Sequence, residues 1–366
     1  MTMKKTFACA LAAVAVSQAC AYKTDELKWI SVADMPLYGT LVTGPDSVRY
    51  TRLPDSLKGV VRDELYDLGT NTAGMYIRFA SDAANIGAQW RATKKFNMNH
   101  MTPTGIRGLD VYVLDGDTAW TTMSSARPSL GWHNTRTMVM SDMAPRMREY
   151  MVYLPLYDGV DSIYIGVDST ATLVQPRLAT PRADRPIVMY GSSITQGGCA
   201  TRPGMVHTSI MSRELDRQFI NLGFSGNAKL DPQIARLIAT APDPAVIVLA
   251  PLPNLTTPEL VERMPGFMEI IRSAHPTVPV VMVESPIFPL MRFNEETLAT
   301  ITEKNRALRK IYEDLVAAGD KNLHYFYGKD ILGDCVEGTV DNYHLTDLGF
   351  AAAADHLLPL LRSLLH

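Results

Sequence analysis

The sequence predicts two domains of different class: an all-β sandwich or jelly roll over residues 22–180, then an α/β domain over residues 184–366 built on a five-stranded parallel sheet. Three observations predict this. The chain has 366 residues, too many for one average domain and enough for two with cores of their own. Apolar residues recur with period two in the first half, whereas in the second half short apolar runs alternate with helical patterns. Between the two patterns lies Pro181-Arg182-Ala183-Asp184-Arg185-Pro186, a polar linker bracketed by proline.

Residues 1–21 read as an export signal: Lys4 and Lys5, an apolar run from Phe7 to Val16, and Ala19-Cys20-Ala21 as a small-x-small cleavage site before Tyr22. The expected location is periplasmic or extracellular. The alternative is a lipoprotein cut before Cys20, although Ser17-Gln18-Ala19 lacks the aliphatic residue usual before a lipidated cysteine. No later stretch supplies the roughly 20 uninterrupted apolar residues of a spanning helix. Hydrophobic residues make up 46% and charged residues 20%, with a net charge of -3. The 35 basic residues are scattered among 38 acidic ones, without the basic stripe of a nucleic-acid binder.

In the first half, Met75 to Phe79, Ile86 to Trp90, Val111 and Val113, Met151 to Leu154 and Ile163 to Val167 alternate as strands. Asp115-Gly116-Asp117 and Asp158-Gly159 are turn signals between such runs. In the second half, Ile187 to Tyr190, Phe219 to Leu222, Ala245 to Ala250, Val278 to Val283 and Leu323 to Tyr327 are short buried strands. Helical patterns over Pro258 to Ala274, Glu295 to Ala318 and Thr346 to Leu364 separate them, with Thr257 and Asn294 as N-caps. Alternating units of this kind form an open parallel sheet covered on both faces.

Ligands of such sheets bind beyond the carboxyl ends of the strands, so the polar residues just after each strand carry the functional information. There stand Gly191-Ser192-Ser193-Ile194-Thr195, Gly223-Phe224-Ser225-Gly226-Asn227 and Pro251-Leu252-Pro253-Asn254, with Asp341-Asn342-Tyr343-His344 before the last helix. A serine at a strand-to-helix turn presents its oxygen at a helix N-terminus, where backbone N–H groups favour developing negative charge. Ser193 is so placed, but a hydroxyl needs an adjacent base, and His344 is the histidine beside a carboxylate at such a junction. Asp341 is the candidate to orient its ring. The backbone N–H groups of Ser193 and Gly226 and the side-chain amide of Asn254 are candidate donors to a tetrahedral intermediate. Each signal alone also reads as a cap or a turn; their order and common position at the sheet edge favour an acyl-transfer site.

These four blocks resemble those of the SGNH hydrolases, also called GDSL-like lipases and esterases. Ser192 stands where the GDSL name has Asp, and Leu255 replaces the acid that follows the asparagine in the third block. The resemblance implies a flavodoxin-like three-layer domain, Ser193, His344 and Asp341 as a catalytic triad, and Ser193, Gly226 and Asn254 as the oxyanion hole. Thr102-Pro103-Thr104-Gly105 and Gly108-Leu109-Asp110-Val111-Tyr112 resemble the GxDLY module found ahead of a subset of these enzymes, with Val111 in place of Leu. Thr201-Arg202-Pro203-Gly204 resembles a stretch of close relatives, which makes Arg202 a candidate to contact substrate or to pin the nucleophile loop.

The expected function is hydrolysis of an ester through an acyl-enzyme, with removal of O-acetyl or other short acyl groups from a carbohydrate as the substrate reading. Transfer to an acceptor hydroxyl by the same triad, and an inactive glycan-binding protein, are the alternatives. The partner is then a small-molecule or oligosaccharide ester. No cofactor or metal is expected, because His100, His133, His207, His275 and His324 show no i,i+4 or Cys-x-x-Cys pairing. His207, just after the nucleophile block, is the one to watch. Cys199 and Cys335 lie on the two segments that must converge on the triad, and a disulfide between them is expected, closing a loop worth about 4 to 5 kcal/mol.

Overall fold

The computed structural model describes residues 23–42, 50–94, 96–115, 119–129, 134–288, 291 and 293–365. The export signal, Cys20, His133 and most of the turn at 115–117 lie outside them. In the first half the described strands are β1 (Lys28–Ser31), β2 (Leu37–Tyr38), β3 (Tyr76–Ser81), β4 (Ile86–Ala92), β5 (Leu109–Asp115), β6 (Ala119–Ala126), β7 (Asn134–Met140), β8 (Arg148–Tyr153), β9 (Val160–Val167) and β10 (Leu173–Val174). They form two antiparallel sheets, one of four strands in the order β1-β9-β4-β7 and one of six with β10-β3-β8-β5-β6 as its path and β2 paired to β3. The alternation read from the sequence aims Phe79, Val111 and Val152 from one sheet and Ala88, Trp90, Ile163 and Ile165 from the other into a shared core. This is the expected sandwich. Two short helices interrupt it, α1 (Asp63–Gly69) and α2 (Pro103–Arg107), the second capped by the Thr102 hydroxyl.

The second half holds β11 (Arg182–Gly191), α3 (Ser193–Gln196), α4 (His207–Glu214), β12 (Arg217–Gly223), α5 (Pro232–Ala239), β13 (Val246–Ala250), α6 (Thr257–Ala274), β14 (Val280–Val283), α7 (Glu295–Ala317), β15 (Leu323–Phe326) and α8 (Asp347–Leu364). The five strands are parallel in the order β12-β11-β13-β14-β15, so the winding direction reverses at β11. Both faces are buried. Ile187 and Met189 pack toward Met211 of α4 and Phe350 and Leu357 of α8, while Val188 and Tyr190 pack toward α5 and α6 through Ile234, Met264 and Phe267. The stretch 181–186, expected as a linker, is largely strand: β11 begins at Arg182, pairs there with Arg217, and enters regular pairing at Ile187 after an irregularity. Helix α6 is capped by Thr256 in a capping box with Glu259, one residue earlier than expected, because Thr256 places its hydroxyl on the Glu259 N–H.

The halves are locked together through buried polar contacts. Arg52, wholly buried, donates to the carbonyls of Leu68 and Asn71 in its own half and of Asn221 and Gly223 at the end of β12, and its guanidinium lies over the Phe224 ring. No carboxylate is among these partners. A cluster of carbonyl dipoles supplies the counter-charge, and the planar fork reaches several of them at once.

Candidate active site

Strand β11 delivers Gly191 and Ser192 to the sheet edge, and the Ser192 hydroxyl accepts the Ile194 N–H, starting α3 with Ser193 at its first position. The turn is tight because β12 approaches it closely. A Cβ on Gly223 would fall 2.1 Å from the Gln196 nitrogen, so only glycine lets the second block pack beneath α3. Gln196, buried, donates to the Leu156 carbonyl and accepts the Ser225 N–H, tying the nucleophile turn to both neighbours.

Ser193 Oγ lies 2.9 Å from His344 Nε2, and His344 Nδ1 lies 2.7 Å from Asp341 Oδ2. The other carboxylate oxygen of Asp341 accepts the backbone N–H groups of Tyr343 (3.1 Å) and His344 (2.7 Å), which anchors the carboxylate beside the ring. Partial burial of Asp341 pushes its pKa upward, but these hydrogen bonds and the neighbouring imidazole outweigh it and leave the carboxyl below its ordinary range. It therefore stays ionised, fixes the tautomer with the proton on Nδ1, and leaves the Nε2 lone pair to accept from Ser193.

Gly226 has φ +70°, the left-handed geometry expected of it, and its backbone follows directly on the β12 turn. Asn254 closes a short 3₁₀ turn after β13, and its Oδ1 accepts the Ala228 N–H at 3.1 Å, which leaves the amide N–H groups turned away from that bond. Among the described residues the N–H groups of Ser193 and Gly226 and the Asn254 amide have no acceptor. Leu255, in place of an acid, is buried in the core below. Support for the asparagine comes instead from Lys304 donating to the Leu252 carbonyl (3.2 Å) and the Tyr343 hydroxyl donating to the Pro253 carbonyl (3.2 Å). The second bond joins the His344 loop to the Asn254 segment.

Of the two roles expected of Arg202, the contacts favour pinning the loop: its Nη1 donates to Asp110 Oδ2 (2.7 Å) and the Tyr112 hydroxyl (2.8 Å), both on β5. Asp110 is fully buried and also accepts the Gly204 N–H at 2.8 Å. The Asp and Tyr of the Gly108–Tyr112 stretch thus act as a socket for the segment that follows the nucleophile. Thr102 and Thr104 extend the clamp, each donating to the Thr201 carbonyl at 2.6 Å. One expectation is corrected: Cys199 and Cys335 are not joined in a disulfide but are separate free thiols. The Cys335 sulfur is turned onto Gly338 at the foot of α8, 3.1 Å from where a Cβ would stand there. The Cys199 sulfur lies near His344. The two sulfurs therefore meet different neighbours, Gly338 for one and His344 for the other. Burial and the Asp341 charge push the Cys199 thiol up to about 12.

Sequence reasoning passed over His100. It sits on the segment between β4 and α2, its Nε2 3.9 Å from Asp341 Oδ2 and its ring edge-on to His344 at 5.5 Å. No motif marks it; its only signal is a position two residues before the Thr102 cap. His207, by contrast, is buried and stacked on Phe350 at 5.5 Å, away from the triad contacts. Beside the Gly226 turn, a cleft of about 560 Å³ opens between the halves, lined by Asp67, Lys94, Phe96 and Met98 from one and Ser225 and Asn227 from the other.

Residues 184–362 match the GDSL-like lipase/acylhydrolase family, and residues 27–173 match the GxDLY module that forms the N-terminus of SGNH-hydrolase-type esterases. A Bacteroides ovatus protein assigned as a GDSL-like lipase superposes with a TM-score of 0.86 at 29% identity, over 93% of this chain and 98% of that one. A salicylyl-acyltransferase from a tetracycline biosynthetic pathway superposes with a TM-score of 0.73 at 19% identity, over 93% and 98%. A family two carbohydrate esterase from Cellvibrio japonicus does so with a TM-score of 0.58 at 14% identity, over the same shares. The last two share the fold. No curated protein matches at a significant level.

Proposed function

The chain belongs to the SGNH (GDSL-like) hydrolase family, and on that premise we propose that it is an exported serine esterase that removes O-acetyl or other short acyl groups from a carbohydrate. The observation that carries the reading is the unbroken relay Ser193–His344–Asp341, with contacts of 2.9 and 2.7 Å. Ser193 Oγ attacks the ester carbonyl while His344 Nε2 takes its proton, and Asp341 stabilises the imidazolium that forms without taking the proton itself. The carbonyl oxygen gains negative charge in the pocket of the Ser193 and Gly226 N–H groups and the Asn254 amide. His344 returns the proton to the leaving sugar oxygen, which departs as a hydroxyl. A water molecule then gives up a proton to His344 and attacks the acyl-serine, and His344 returns that proton to Ser193 Oγ as the carboxylic acid departs.

The carbohydrate reading is supported by the cleft between the halves. Its mouth adjoins the oxyanion turn, Phe96 offers an exposed ring for stacking on a sugar face, and Asp67 and Lys94 offer polar groups at its edge. The test is a panel of p-nitrophenyl esters of increasing chain length and of acetylated oligosaccharides, with free acid measured in the absence of any added acceptor. Acetyl substrates should give the highest kcat/KM. A preference for long acyl chains would overturn the short-acyl reading, and acid release that requires an acceptor hydroxyl would turn the assignment to acyl transfer. N-terminal sequencing of protein recovered from outside the cytoplasm should begin near Tyr22.

A further inference from the structure

We propose that His100, Cys199 and His344 form a binding site for a borderline-soft divalent cation, with Zn²⁺ the best fit, and that the bound ion switches the hydrolase off by occupying the lone pair of its general base. The proposal rests on the catalytic role of His344 given above only for its effect on activity; the site itself stands on geometry.

One ligand atom from each residue lies within 4.8 Å of the other two. Zinc bonds of about 2.0 to 2.3 Å in a tetrahedron hold the ligand atoms roughly 3.3 to 3.8 Å apart. Side-chain shifts on the order of 1 Å therefore close the set. Two imidazoles and a thiol suit zinc and its soft neighbours and disfavour magnesium and calcium, which take oxygen ligands.

The groups are poised for this by contacts already in place. With Nδ1 of His344 held 2.7 Å from Asp341 Oδ2, Nε2 carries the lone pair, and the same carboxylate–imidazole bond that makes a general base makes a metal ligand. His100 Nδ1 is buried and has no hydrogen-bond partner among the described residues. Cys199 is held in place by its N–H, which donates to the Leu345 carbonyl at 2.8 Å, directly after the catalytic histidine. On binding, the thiol loses one proton to solvent, the metal takes the thiolate and two nitrogen lone pairs, and the Ser193–His344 hydrogen bond is broken. No electron changes hands. His100 belongs to the β-sandwich half and the other two to the hydrolase half, so the site exists only in the assembled chain.

The experiment uses the full mature chain, freed of metal with a chelator that is then removed. ZnCl₂ should bind with a stoichiometry of one in calorimetry and abolish ester hydrolysis as it does so, with recovery on adding chelator. Co²⁺ should give the intense near-ultraviolet band of a cobalt–thiolate bond. In Cys199→Ser that band should vanish, and the zinc concentration for half-inhibition, measured against the variant's own zinc-free rate, should rise at least ~10-fold. His100→Gln should raise it similarly. His344→Ala should weaken Co²⁺ binding seen in the band itself, a readout that needs no activity and so separates this proposal from the assignment of the esterase. Inhibition of Cys199→Ser at the wild-type zinc concentration, a cobalt complex without the thiolate band, or stoichiometric zinc binding with full activity would each overturn it.

Discussion

Lowering the pH from about 7.5 to 4 should cost the folded protein on the order of 3 kcal/mol through His207 alone. Burial without a compensating charge lowers this imidazole from 6.5 to about 4, and its Nδ1 has no hydrogen-bond partner among the described residues. The folded state therefore refuses a proton that the unfolded chain accepts near 6.5. The stability tied to this group is complete above that value and is lost as the pH falls toward 4, below which both states are protonated and the loss levels off. With about 1.4 kcal/mol per unit, the loss is roughly 2 kcal/mol at pH 5 and levels off at about 3 kcal/mol at the acid limit. The perturbation that isolates it is His207→Phe, which keeps a ring against Phe350 and removes the titrating nitrogens. Urea unfolding of both proteins at several pH values between 4 and 7.5 gives the difference in stability at each. Groups such as Glu259 and Asp341, held low by hydrogen bonds, add their own acid loss to both proteins and cancel. The wild type should lose about 2 kcal/mol relative to the variant between pH 7.5 and 5. Parallel stability profiles would refute the claim that a neutral, desolvated His207 sits in this core.

Ser193→Ala should reduce ester turnover by several orders of magnitude with little change in the unfolding midpoint, and appreciable activity in the purified variant would remove Ser193 as nucleophile. Asn254→Ala should lower kcat by roughly 10² to 10³ with a smaller effect on KM, because an oxyanion donor acts on the transition state; an effect confined to KM would make Asn254 a substrate contact. Asp341→Asn should leave a measurable remnant of activity, since the ring loses its orienting carboxylate while the nucleophile and oxyanion donors remain, and unchanged kinetics would show that the carboxylate is dispensable. Arg202→Leu should destabilise the fold by about 3 kcal/mol in urea unfolding, because it leaves the buried Asp110 charge with neutral donors only; a variant as stable as wild type would mean that the clamp between the halves contributes nothing.

Much of the candidate site was legible because its residues are announced locally. Gly191-Ser192-Ser193 follows a four-residue apolar run, Gly226 needs a left-handed backbone, and Asp341 and His344 are close enough in sequence for one turn to bring the carboxylate to the ring. Thr256 against Thr257 as the cap of α6 marks the limit of such reading. Both hydroxyls suit the position, and only the reciprocal bond with Glu259 decides between them. The short helices α1 and α2 were missed because a helix of five to seven residues has too few turns to display a period and is held by tertiary contacts.

What the sequence determined by itself is therefore the pair of folds and the chemistry at the edge of the parallel sheet, since periodicity sets which faces are buried and the order of strands sets where polar residues gather. What only the tertiary structure decided is where side chains from distant segments point. Cys199 and Cys335 lie on converging segments, yet one sulfur turns to the triad and the other to Gly338, a matter of rotamer and backbone direction that no spacing encodes. Arg202 finds its partners on Asp110 and Tyr112, about ninety residues away, and His100 reaches Asp341 from the other half of the chain. Such contacts depend on how the sandwich docks against the nucleophile loop, and that docking is fixed by packing and buried hydrogen bonds such as those of Arg52, summed over the whole interface.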